Sequence, residues 1–149
     1  MSKQRFRLEQ VLAHKKRLEE TMQIHLANLE LRLRQETEAL AALERRAAEQ
    51  QQALRRRQGG ARLDPGDVER ALAYLDALDR ERQRQGQAVA QIQEQVDRSR
   101  EQLIAVAQER KALERLKEQQ LERWALEEKR AELRATDEMN MARAHRRTA

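Results

Sequence analysis

With 149 residues, 38% charged and 2% aromatic, and only one Phe, one Tyr, one Trp and one Pro, the chain has almost nothing from which to build a globular core or a sheet protein. At 39% hydrophobic, mostly Leu and Ala, it is too apolar to be disordered and is rich in strong helix formers. The absence of Cys excludes disulfides, thiolate metal sites and cysteine nucleophiles.

The formal charge of +5 lies in residues 1–57, which hold thirteen Lys and Arg against eight Asp and Glu, while residues 58–149 balance. The bases alternate with Glu at helical spacing, which describes a solvated face better than a phosphate-tracking groove, so no nucleic-acid partner is expected. No apolar run approaches the roughly 20 residues that span a bilayer, and the opening MSKQRFRLEQ lacks the uninterrupted apolar stretch of a signal peptide. A cytoplasmic location is the expectation.

The first predicted helix covers about residues 4–57. Its seam is Leu8, Val11, Lys15, Leu18, Met22, Leu26, Leu29, Leu33, Glu36, Leu40, Leu43, Ala47, Gln50 and Leu54. The steps alternate three and four, with one extra four-step from Met22 to Leu26 that reads as a stutter. A turn follows over about 58–64. Gly59 and Gly60 are expected to end the helix, glycines being costly inside it and ready to take a positive φ. Asp64 reads as an N-cap, with Pro65 at the first helical position and Asp67 in the first turn.

The second helix is predicted from Pro65 to about 142. It carries the seam Val68, Ala71, Leu75, Leu78, Arg82, Gln85, Val89, Ile92, Val96, Ser99, Leu103, Val106, Arg110 and Leu113. Gly86 is its one internal breaker, at a cost of about 1 kcal/mol against Ala. So short a connection makes the helices antiparallel neighbours, and the alignment that matches the seams sets Leu54 against Val68, Leu43 against Leu78, Leu29 against Ile92 and Leu8 against Leu113. Glu36 then falls opposite Gln85, with Arg82 one layer away, as a polar layer that penalises slipped registers. The fold class expected is all-α: a long antiparallel two-helix coiled-coil hairpin forming a single domain over 1–149. The second helix is the longer arm, at on the order of 115 Å against 80 Å, so it overhangs beyond about Lys117. A polar, basic C-terminus is expected to fray.

Catalysis has no setting in this pattern. His14 and His25 lie about 16 Å apart along a helix and cannot share a metal. Carboxylate neighbours such as Glu19 with Glu20, or Glu127 with Glu128, sit on a rod without a cleft. There is no phosphate loop and no nucleophilic triad, so neither enzyme activity nor a cofactor is expected. Trp124 on the overhang marks a partner contact, because an exposed indole is expensive and aromatic anchors are enriched in interface cores. Tyr74, beside the seam residue Leu75, reads equally as cover for the coiled coil or as a contact.

Three stretches carry a family resemblance: FRLEQVL at 6–12, YLDAL at 74–78, and RKALERLKEQQ at 110–120 followed by Trp124, Glu127, Arg130, Glu132 and Asp137-Glu138. Together they resemble the flagellar export protein FliJ family over nearly the whole chain; the stalk proteins of virulence type III secretion are the near neighbour. The resemblance implies a soluble stalk-like component of the flagellar type III protein export apparatus, cytoplasmic and peripherally associated with the inner membrane. Its implied partners are the hexameric flagellar export ATPase, whose ring assembly it promotes, the cytoplasmic domain of the membrane export gate, and export chaperones. Carried over by motif, the ring-binding residues are Phe6, Leu8, Val11, Leu12, Arg110, Lys111, Leu113, Leu116, Lys117 and Trp124. The gate-binding residues are Leu43, Arg46, Gln50, Tyr74, Leu78, Glu81 and Gln85. Two other readings of the residues stay open: a generic structural coiled-coil adaptor that assembles with itself or a scaffold, and, less favoured, a nucleic-acid-binding helical protein.

Overall fold

Local chemistry sets the helix ends. In the computed structural model, which describes residues 6–60 and 64–148, the carboxylate of Asp64 accepts the backbone N–H of Gly66 at 3.1 Å, and its carbonyl accepts those of Asp67 and Val68. Asp64 is therefore the N-cap, Pro65 opens the helix and Asp67 places an acid in its first turn. The preceding helix ends at Gln58, one residue from the expected boundary. It closes differently from expectation, because no described glycine has a positive φ. The last turn instead tightens, with Gly60 N–H donating to the Arg57 carbonyl three residues back at 3.1 Å.

Two helices, α1 (Glu9–Gln58) and α2 (Pro65–Thr148), make up the architecture, and the described residues contain no strand. The fold class is all-α, with the two helices packed against each other. α1 starts at Glu9, later than the predicted residue 4: Arg7 and Leu8 form a turn whose Phe6 carbonyl accepts the Glu9 N–H. Positions 4 and 5 lie outside the described residues. At the other end, the expected stop near residue 142 and the frayed tail are not observed. α2 continues through Thr148 because neither Gly nor Pro follows Gly86, and His145, Arg146 and Arg147 suit the negative end of the helix dipole. The Thr148 hydroxyl caps the turn by donating to the Ala144 and His145 carbonyls.

The chain divides into two compact units. The second unit, Thr21–Leu103, holds the turn and the better-filled seam. Leu78, Ile92, Val96 and Ser99 are buried there, all of them predicted seam positions. The expected polar layer forms: the Gln85 side-chain amide donates to the Glu36 carbonyl at 2.9 Å and to its carboxylate. Arg82, expected one layer away, is exposed and pairs along its own helix with Asp79 at 2.7 Å. Arg100 reaches Glu30 across the helices at 3.1 Å.

Gly86 adjoins this layer, and a Cβ built on it would meet no atom within 4 Å. Gly86→Ala is therefore expected to stabilise the protein by about 1 kcal/mol through helix propensity alone. Thermal unfolding followed by far-UV circular dichroism would check this; a lower melting temperature would show that the glycine serves packing.

In the first unit, Met1–Glu20 with Ile104–Ala149, the buried apolar residues among those described are Leu12 and Val106. Here the predicted seam is out of phase. Leu8 and Val11 are 38% and 42% exposed, whereas Leu12 is 1% exposed. The inward positions are Leu12, Lys15 and Glu19, with the predicted Leu18 half-buried beside Glu19; from Glu19 a three-step reaches Met22, so the steps alternate without a stutter. The charged members are accommodated by partners on α2: Lys15 pairs with Glu109 at 2.6 Å, and Glu19 with Arg110.

Candidate functional site

The ring-binding candidates all fall in the first unit and the gate-binding candidates all in the second. Within the first unit, Phe6, Leu8 and Arg7 precede or open α1, and Leu116, Gln120, Leu121 and Trp124 follow one another along α2. These residues line two shallow grooves that share Phe6, Arg7 and Trp124. Lys117, Glu9 and Gln10 complete the first groove, and Lys117 pairs with Glu9 at 2.8 Å. Trp124 is half-buried in this arrangement. The uncovered stretch of α2 thus begins after Trp124, not at Lys117 as expected. The inward positions of α2 continue Val106, Arg110, Leu113, Lys117, Gln120, Trp124, and the segment around Phe6 supplies cover that a count of helical positions omits.

Not every ring-binding candidate presents a free side chain. Leu12 is wholly buried and Leu113 half-buried. Arg110 is engaged within the unit, its guanidinium donating to Glu19 and, at 2.9 Å, to Glu114. Those hydrogen bonds, Glu19 first and then Glu114, hold its pKa above the ordinary arginine value. Leu8, Val11, Lys111 and Leu116 are exposed and available to a partner. Beyond them residues 125–148 form uninterrupted helix, exposed along its whole length.

In the second unit, Arg46, Tyr74 and Glu81 are exposed, while Leu43 and Gln50 are half-buried. Leu78 belongs to the core and Gln85 to the polar layer. Tyr74, 44% exposed, projects from the surface. Sequence reasoning missed the exposed pair Ile24 and Leu31 on α1, whose seven-residue spacing and distance from the seam phase are readable in the sequence. It also missed Leu72 and Ile104 on α2.

Among the described residues no group of three or more His, Asp or Glu could hold a metal, and no helix is long and apolar enough to cross a membrane. No curated protein and no solved structure matches the chain. The family model described as flagellar FliJ protein matches residues 3–149. With both helices and both candidate surfaces inside that match, the chain belongs to the FliJ family, components of the flagellar export apparatus.

Proposed function

We propose that this chain is the stalk-like component of the export apparatus that docks into the hexameric export ATPase through its first unit and promotes assembly of the ring. The observation that carries the reading is the helical extension 125–148, exposed throughout and adjoining the grooves around Phe6 and Trp124. A lone helix is marginal in water unless something covers its apolar side chains. A ring lumen can do so, each subunit meeting a different side of the helix. The exposed Leu8, Val11, Lys111 and Leu116 and the half-buried Phe6 and Trp124 make the contacts, while Leu12, Leu113 and the Arg110–Glu19 pair hold the platform beneath them.

The second unit is the surface for the cytoplasmic domain of the membrane export gate, through Tyr74, Arg46 and Glu81, with Leu43 and Gln50 at its edge. Leu78 and Gln85 act there by shaping the helix pair. Export chaperones are further partners, and the place of work is the cytoplasmic side of the inner membrane. The flagellar description of the matching family favours this over the virulence-secretion counterpart.

Adding the purified chain to its cognate ATPase is expected to raise hydrolysis severalfold and to increase the hexamer fraction in parallel, read by phosphate release and by sedimentation. Unchanged hydrolysis and unchanged assembly across a saturating titration would reject the ring role.

A further inference from the structure

Along most of α2, opposite charges three or four residues apart pair on the helix itself: Asp76 with Arg80, Asp79 with Arg82, Glu94 with Arg98. The extension 125–148 differs. Among the described residues, none of its charged side chains enters an ion pair. Three of its four-residue spacings set like charges together, Glu128 with Glu132, Arg130 with Arg134 and Arg143 with Arg147, while opposite charges at helical spacing, such as Arg134 with Glu138, lie only in its first half and leave the basic end unanswered. Like-charge pairs destabilise an isolated helix, and opposite charge arriving from outside relieves them.

The arrangement of these charges identifies the occupant. Steps of four and three put Glu128, Glu132, Ala135, Met139, Ala142 and Arg146 on one face, with Arg143 at its edge. This stripe is acidic at one end, apolar in the middle and basic at the other. Turned end for end about a two-fold axis at the level of Asp137, it is its own complement. Glu128 faces Arg146, Glu132 faces Ala142 with Arg143 beside it at the edge of the face, and Ala135 faces Met139, each contact occurring twice, as an isologous antiparallel interface requires. A polyanion such as nucleic acid or an anionic lipid surface would meet the glutamates as well as the arginines, so the mixed stripe fits it poorly.

We infer that in the free chain, away from the ring, residues 125–148 form a self-association surface, and that its occupant is the same segment of a second copy running antiparallel. Only small apolar side chains and Met139 lie between the charges, so the dimer is weak, reversible and salt-sensitive.

Sedimentation equilibrium of the full chain tests this. At low salt the average mass is expected to climb with concentration from the 17.6 kDa monomer towards twice that value, and to fall back at high salt. Glu128→Arg/Glu132→Arg makes the stripe basic at both ends, and Arg143→Glu/Arg146→Glu makes it acidic at both ends. Each variant alone is expected to stay monomeric, and an equimolar mixture to associate at least as well as the wild type. All these positions are exposed, so the mixture also reports that both variants remain folded. Three results would overturn the inference: a wild type that is monomeric throughout, variants that self-associate unchanged, or a mixture that fails to associate.

Discussion

Leu12→Ala is expected to destabilise the first unit by about 2–5 kcal/mol, the range for removing a buried leucine side chain, while Val11→Ala one position earlier changes stability by no more than about 0.5 kcal/mol. The contrast follows from exposure: 1% for Leu12 against 42% for Val11. Among the described residues Leu12 and Val96 are the largest fully buried side chains, and Leu12 shares its unit's buried apolar set with Val106 alone. A loss of that size is a large share of what holds α1 to α2 there. Its effect is local, because the buried Leu78, Ile92 and Val96 belong to the other unit. Amide hydrogen exchange should show protection lost over residues 9–20 and 104–117 and retained over 75–100. Equal costs for Leu12→Ala and Val11→Ala would return the seam to the phase that apolar spacing alone predicts.

That phase error shows where the sequence stops being legible. The turn was readable because glycine, proline and aspartate act through local backbone chemistry, and Asp64 caps α2 as expected. The second-unit seam was readable because only one phase is apolar, through Leu78, Ile92 and Val96. At the start of α1 two phases compete. One runs through Leu8, Val11, Lys15 and Leu18; the other runs through Leu12, Lys15 and Glu19 and looks worse by any count of apolar positions. The fold takes the second, burying Leu12, because Arg110 on the other helix answers the Glu19 charge that this phase brings inward, a compensation invisible along α1 alone. The same blindness affects the candidate site. Family motifs brought Leu12, Leu78, Arg110 and Gln85 forward together with Leu8, Lys111 and Tyr74, yet the first four are occupied inside the helix pair. Trp124 was legible as exceptional, but its cover was not, since Phe6 lies outside the helix.

Ending the chain after Ala125 is expected to abolish stimulation of the export ATPase while leaving the first unit folded. The deleted residues are exposed throughout, and the hydrogen bonds their side chains make stay within α2 itself, so thermal unfolding of what remains should move by no more than about 0.5 kcal/mol. The grooves around Phe6 and Trp124 persist in that chain, because every residue lining them lies at or before Trp124. Substituting Trp124→Ala in the intact chain should act differently. Loss of an aromatic anchor costs about 2 kcal/mol or more in binding, about thirtyfold in affinity. The concentration for half-maximal stimulation then rises by about that factor, while the maximum reached at saturation holds. The two variants therefore separate the element that organises the ring from the platform that positions it. Full stimulation by the truncated chain would move the activity to the grooves, and a Trp124→Ala variant with wild-type half-saturation would remove the indole from the contact surface.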